Sequence, residues 1–516
     1  SYFYLALFNN LNEKTYEHIK NYIRHQPSDI RGLLLYANLL FNNNEWFDAL
    51  FQYRKVLWID NQNIDAQLGI GLCLYHLQEF NDAVTALRKT LKIDPYQHVA
   101  YFYLGLALMA ENNFREAIPN LTQSLLLNPD NSDIYFNLGK SYFETSKIIQ
   151  AREAFNRTIT IDPQHGPAYY YIGLINENIM EIDKAVHAYA QAQKYSPEIE
   201  DVHYRLGMLL YRTGELKKAM EPLRQFIINQ PDDQHVLEVM GEIFISENRF
   251  PEAIDTYNRI LGIYPEKLET NLALAESYYQ LKELENAINV YQNILLFDDE
   301  NYEVMIRMGS IYNELGEYKE AENILNQAIN CTTPTMKMYY QLALTYGNQG
   351  KYMSTVLAFQ EALKLKSDDV EIKYQLGIAY MELYNFNVAA QYFEEYVALN
   401  NQDEIAFFFL GKCYYEIGDY PAAILALQRA NALSPNDHRI LYYIGKSYSG
   451  LGEESDAALT FRKALKINPE DPEIYFELGK SYYKLNKNKK VTETLDILNM
   501  LDRSLYDQLY FEIIRR

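Results

Sequence analysis

The tripeptide Gly-Lys-Ser begins at Gly139, Gly445 and Gly479 and is the first place to look for chemistry in this chain. A phosphate-wrapping loop needs another glycine five residues ahead of its Gly-Lys, so that successive N–H groups close on the anion. Ile134, Ile440 and Ile474 stand there instead. Gly69-Ile-Gly71 opens like a dinucleotide turn, but Leu74 fills the third glycine's place. The nine histidines form no His-Glu-x-x-His pair and no cluster with cysteine at metal spacing. No Gly-x-Ser-x-Gly elbow occurs. Among 69 acidic residues any two could be named a catalytic pair, so their abundance reads as solvated helix surface. The sequence therefore offers no catalytic residue, no metal ligand set and no cofactor site.

The elements that carry these residues are set by a glycine lattice. Eleven of the 22 glycines fall on a period of 34 residues: Gly71, Gly105, Gly139, Gly173, Gly207, Gly241, Gly309, Gly377, Gly411, Gly445 and Gly479. Ala37, Ala275 and Ala343 complete the lattice without insertion or deletion. Twelve residues on, alanine recurs, as at Ala83, Ala151, Ala321 and Ala457. Twenty-four residues on comes proline in eight periods, Pro95 and Pro469 among them, and mostly a turn former elsewhere. Each period carries two stretches of about 14 residues with apolar side chains at spacings of three and four, split by a polar turn. That pattern predicts a helical hairpin. A mid-helix glycine costs about 1 kcal/mol against alanine, so the lattice must mark close helix approach. The recurrent alanine is the expected facing surface. By the same lattice, each Gly-Lys-Ser lies inside a helix, where no phosphate loop can form.

Counting each period from residue 30, the small residue falls at position 8, tyrosine recurs at 11, alanine at 20, an aromatic or leucine at 24 and proline at 32. Tyr135-Phe-Asn-Leu-Gly-Lys-Ser-Tyr142, followed by Ala151, Phe155 and Pro163, is a representative copy. This pattern resembles the tetratricopeptide repeat (TPR) from residue 30 to about 502, with a degenerate copy ending at Pro27 before it. The resemblance implies an all-α fold: a TPR α-solenoid, a right-handed superhelix of about fourteen 34-residue hairpins with terminal capping helices. The expected organisation is a degenerate repeat or cap over 1–29, fourteen units over 30–505, and a C-terminal capping helix over 506–516. The units start at 30, 64, 98, 132, 166, 200, 234, 268, 302, 336, 370, 404, 438 and 472.

Composition narrows the function. The chain is 48% hydrophobic and 22% charged, which is globular, and no run of about 18 apolar residues could span a bilayer. A net charge of −22 repels phosphate and argues against nucleic acid. The one lysine run, Lys480, Lys484, Lys487, Lys489 and Lys490, reads as the solvated end of the last repeat. Cys73 and Cys413 share one phase of the repeat and read as small core residues. Three cysteines make no disulfide framework and fit a reducing compartment, hence a cytoplasmic location. The start, Ser1 to Phe8, has neither a signal-peptide pattern nor an initiator Met. A processed N-terminus, and a bacterial periplasmic location behind a missing targeting segment, is the alternative.

In TPR arrays the first helix of each unit lines a concave groove, with positions 2, 5, 6, 9, 12 and 13 pointing into it. Mapped by resemblance, position 5 is aromatic at Phe102, Phe136, Tyr170, Tyr204, Tyr340, Tyr374, Phe408, Tyr442 and Phe476. Position 2 is acidic at Asp65, Asp133, Asp201, Glu269, Glu303, Glu371 and Glu473. These sixteen residues are the candidate binding face. Their competing uses are structural: packing for the aromatics, and favourable charge at a helix start for the carboxylates. The family's carboxylate clamp fails, because Leu34 precedes Asn38 and Gly69 follows it. An asparagine ladder at position 6 fails as well, with only Asn137 in place. The expected function is a non-catalytic scaffold for a protein or peptide that is basic or neutral and rich in apolar or aromatic residues. Homo-oligomers, a structural part in a bacterial envelope, secretion or motility assembly, and the regulatory region of a longer enzyme are the alternatives.

Overall fold

A computed structural model of the protein describes residues 13–514, all-α and without a strand among them. The parts of the expected N-terminal and C-terminal caps that fall on 1–12 and 515–516 lie outside the described residues. Thirty helices follow one another among the described residues. The chain divides into two compact units, Ser1–Glu247 and Asn248–Arg516. In the first, helix Glu13–His25 precedes six hairpins, from Ile30–Asn42 with Trp46–Ile59 to Glu200–Arg212 with Leu216–Asn229, and then helix Gln234–Ser246. In the second, helix Phe250–Ile263 precedes seven hairpins, from Leu268–Gln280 with Leu284–Phe297 to Pro472–Lys484 with Asn488–Leu501. Helix Arg503–Ile514 follows, starting at 503 because the Asp502 carboxylate accepts from Leu505 N at 3.0 Å.

Local chemistry fixes the helix ends. Asp or Asn immediately before a first helix caps it, as Asn63 does for Ala66 N at 3.0 Å and Asp233 for Val236 N at 2.9 Å. The first helix stops at a left-handed residue at position 15. Five of these are glycine, from Gly214 to Gly452, and others include Asn44, Met180 and Tyr384, all with φ between 57° and 90°. The reversed turn lets Glu45 N reach back to Leu40 O at 2.8 Å, closing the helix end before the second helix begins. Pro251 and Pro421 sit in the first turn of their helices, where no N–H is missed. Pro119 and Pro222 lie further in, and both helices run on through them.

The glycine lattice marks close approach, but the facing residue is not the recurrent alanine. A Cβ on Gly105 would stand 2.6 Å from Leu121, on Gly173 2.5 Å from Tyr189, and on Gly445 2.5 Å from Phe461. These partners stand at position 24, one helical turn beyond the alanine. The alanines, such as Ala117, Ala185 and Ala457, are fully buried nearby. The glycine is thus a socket for the large side chain of its own hairpin's second helix. In the last hairpin the socket of Gly479 receives Leu509, 2.5 Å from where a Cβ would be, and Leu509 is fully buried. The terminal helix supplies the plug there.

Candidate partner-binding face

The position 5 aromatics are half-buried, and five of the nine lean on the plug of their own hairpin. Ring centroids lie 5.8 Å apart for Phe136 and Phe155, 6.3 Å for Tyr170 and Tyr189, 5.7 Å for Tyr340 and Phe359, 5.8 Å for Tyr374 and Phe393, and 6.2 Å for Tyr442 and Phe461. Tyr204 leans on Phe226, Phe408 on Tyr443 and Phe409, and Phe102 on Tyr103. Phe476 lies under the Lys480 ammonium at 5.1 Å. The five rings on plugs therefore serve the core on one side, and all nine remain partly open to solvent.

Three position 2 carboxylates, Asp201, Glu371 and Glu473, act on the position 5 ring of the preceding hairpin, whereas Asp65, Glu269 and Glu303 follow Leu34, Glu238 and Leu272 at that place. Tyr170 donates to Asp201 Oδ2 at 2.6 Å. Burial, and then this bond, pushes the Tyr170 phenol up to about 12. Burial followed by the charge of Glu371 raises Tyr340, and burial with the charges of Glu477 and Glu473 raises Tyr442. Asp65, Asp133, Glu269, Glu303 and Glu473 are exposed and enter no ion pair among the described residues. Glu371 is exposed and, among the described residues, accepts only from Gln375, at 3.0 Å. Asp201 differs. Arg205 binds it through Nε at 2.5 Å and reaches Glu177 at 3.2 Å, so its charge is already spent.

Two clusters on the first helices escaped the sequence reading. In the first unit, His76 stacks on Trp46 at 4.9 Å and meets Phe41, Tyr75 and Tyr103 edgewise or tilted at 5.4 to 6.0 Å. Burial among these rings lowers the imidazole pKa. In the second unit, position 9 holds lysine in three successive hairpins, Lys412, Lys446 and Lys480. Lys446 sits over Tyr415, Tyr442 and Tyr443 at 4.7, 5.2 and 5.3 Å, and Lys412 over Tyr443 at 5.9 Å. A basic group is therefore present on this face beside the acidic positions. Its signal was legible as Gly-Lys at 411, 445 and 479, the dipeptide of the failed phosphate motif. Gly139, Gly445 and Gly479 do lie mid-helix, and Ser141 and Ser447 donate to carbonyls one turn back, at 2.9 and 2.8 Å.

Burial pushes the thiols of Cys73 and Cys413 up to about 12, so neither is a nucleophile near neutrality. No helix among the described residues is long and apolar enough to cross a membrane.

Profiles described as tetratricopeptide repeat or TPR repeat match residues 108–172, 181–234, 282–342, 340–404, 374–438 and 451–486, more than half of the chain. The chain belongs to the tetratricopeptide-repeat family. A profile of the anaphase-promoting complex, cyclosome, subunit 3 matches residues 9–90 of this TPR chain. No curated protein matches it by sequence. Similar solved structures include the C-terminal part of a TPR repeat-containing protein from Cytophaga hutchinsonii, at 18% identity, covering 44% of this chain and 94% of that one, with a TM-score of 0.39. The Cut9-Hcn1 hetero-tetramer structure of the APC/C aligns over 95% of this chain and 96% of that one, at 17% identity and a TM-score of 0.33. YrrB, described as a TPR protein with an unusual peptide-binding site, aligns over 39% of this chain and 99% of its own, at 22% identity and a TM-score of 0.33.

Proposed function

We propose that this TPR chain is a non-catalytic scaffold that holds a partner protein or extended peptide along its first helices. The observation that carries the reading is the cross-hairpin placing of a half-open aromatic ring at position 5 beside an exposed carboxylate at position 2, as for Tyr340 with Glu371 and Tyr442 with Glu473. Aromatic rings fixed on one side lose little entropy on binding and present apolar area with a polar tip. Unpaired carboxylates beside them attract cationic side chains. The partner segment is accordingly basic or neutral and rich in apolar or aromatic residues. Three free thiols, two of them buried, suit a reducing compartment, with the cytoplasm as the first choice and the bacterial periplasm as the second. The test is hydrogen exchange with a labelled peptide of alternating lysine and tyrosine. Protection should fall on the first helices. Protection confined to second helices would overturn the assignment of the face.

A second reading, a structural part of a larger assembly or homo-oligomer, draws on apolar residues exposed on second helices. Phe47, Phe51 and Trp58 lie on one helix at 74, 55 and 89% exposure. Light scattering against concentration separates the two, because a peptide receptor alone stays monomeric.

A further inference from the structure

We propose that helix Trp46–Ile59 is a self-association surface whose occupant is the same helix of a second copy of this chain, packed antiparallel across a two-fold axis. The inference rests on the homo-oligomer reading above and supplies its surface, its partner and its register.

The helix itself makes the face. Ala49, Leu50, Tyr53 and Val56 are buried and turn one side of it to the core. At about 100° per residue, Phe47, Phe51 and Trp58 fall within about 40° of one another on the opposite side. They form an exposed stripe about 16 Å long. The next second helix, Phe80–Ile93, holds Asn81, Thr85 and Lys92 at the same three places. None of the other repeats has Phe, Tyr or Trp at any of them. Three rings gathered on one helix and turned to water mark a contact surface, not scattered exposure.

The charges beside the stripe decide what fits it. By the same periodicity Asp48 and Lys55 flank the stripe on one side and Arg54 on the other. Among the described residues Asp48 and Arg54 enter no ion pair, and Lys55 only rests over the Phe51 ring at 4.5 Å. A parallel copy would set Asp48 beside Asp48 and Lys55 beside Lys55, like against like. An antiparallel copy, with the two-fold axis between Phe51 and Gln52, sets Asp48 of each chain beside the partner subunit's Lys55, twice. The same axis brings Phe51 against its own copy and seats Phe47 between the partner subunit's Arg54 and the partner subunit's Trp58. A guanidinium there meets a ring face, which attracts it. The surface is thus self-complementary, as an isologous interface must be, and it closes at two copies. Area sets the strength. At about 200 Å² for a whole ring, the exposed parts offer on the order of 400 Å² per copy. About 800 Å² over a pair, with the flanking side chains added, lies at the low end of specific interfaces, so the dimer is reversible with a Kd on the order of tens of micromolar.

The test is sedimentation velocity on the full chain at low salt, from about 1 to about 300 μM, where a monomer–dimer transition should appear. Trp46 and Trp58 are the only tryptophans, so in Trp46→Phe the emission reports Trp58 alone. That emission should shift to the blue over the same concentrations. Trp58→Ser should weaken association by about tenfold or more. Asp48→Lys should weaken it about tenfold by making both ion pairs repulsive, and adding Lys55→Asp should restore it to within about threefold. Asp48, Lys55 and Trp58 are exposed, and circular dichroism checks each fold. A dimer indifferent to Trp58→Ser overturns this surface, and a charge swap that fails to restore association overturns the antiparallel register. Both leave the homo-oligomer reading standing. A chain that stays monomeric at every concentration removes that reading and this surface together, and blue emission from the monomer would show the face covered within its own chain.

Discussion

Gly309 faces Leu325 so closely that a Cβ on the glycine would lie 2.6 Å from the leucine Cγ. Leu325 is fully buried, so its side chain has nowhere to retreat. Gly309→Leu should therefore destabilise by about 1–3 kcal/mol or more through overpacking. In a repeat array the damage spreads to nearest neighbours first. Hydrogen exchange should accelerate in residues 268–365 well before the ends of the chain respond. Uniform acceleration from 13 to 514 would show that the array does not behave as coupled neighbours.

Leu509 is the plug that the last hairpin borrows from the terminal helix. Leu509→Ala should cost about 2–4 kcal/mol, felt mainly by residues 472–514. Gly479→Ala alone should also destabilise, since its methyl would press on Leu509. Combined, the two should cost less than their sum, because the added methyl enters the space that the leucine left. Urea unfolding of the four proteins gives the coupling term. Strict additivity would mean that the terminal helix does not fill the Gly479 socket.

The repeat, its period and its helical hairpins were legible because eleven glycines at one spacing have no other economical explanation. The facing residue was not. Alanine at position 20 and the large residue at position 24 recur at equally fixed offsets from the glycine, and only the way the two helices cross decides which one fills the socket. The left-handed turn at position 15 was hidden for a related reason. Gly214 and Gly418 announce it, but Met180 and Tyr384 adopt the same φ because the surrounding helices impose it. At the candidate face, the sequence marked the aromatic and acidic positions but not their company. The pairing of Asp201 with Arg205 four residues away was open to inspection. The stacking of Lys446 on rings from two hairpins depends on helix packing that spacing alone does not reveal.

Acid should weaken the first unit through His76. Burial among Trp46, Phe41, Tyr75 and Tyr103 lowers its pKa below the ordinary 6.5. The unfolded chain then takes up a proton near pH 6.5 that the folded chain takes up only at lower pH. This stability is intact above the unfolded value and falls as pH drops below it toward the folded one. The other rings in the cluster do not titrate in that window. In His76→Phe the acid loss should be smaller than in the unaltered protein between about pH 7 and pH 5, as read from urea midpoints. An unchanged pH dependence would place the acid sensitivity elsewhere.

Carboxylates and rings should act on different steps of binding. Glu269, Glu303 and Glu371 are exposed and hold no cation of their own among the described residues, so on the proposed reading their charge reaches into solvent and should steer a basic peptide. Replacing all three with glutamine should slow association of the lysine-tyrosine peptide several-fold and flatten its salt dependence, with little change in dissociation. Asp201→Asn is the contrasting control: that carboxylate is already bound by Arg205 and Tyr170, so its loss frees a cation and should move stability more than association. Tyr340→Ala and Tyr374→Ala should instead speed dissociation, because these rings present the apolar contact. They also lean on Phe359 and Phe393, so each will cost stability, and exchange rates must be measured below the unfolding transition. If the glutamine triple associates at the native rate while Asp201→Asn does not, the steering charge sits in the first unit rather than along the exposed row of the second.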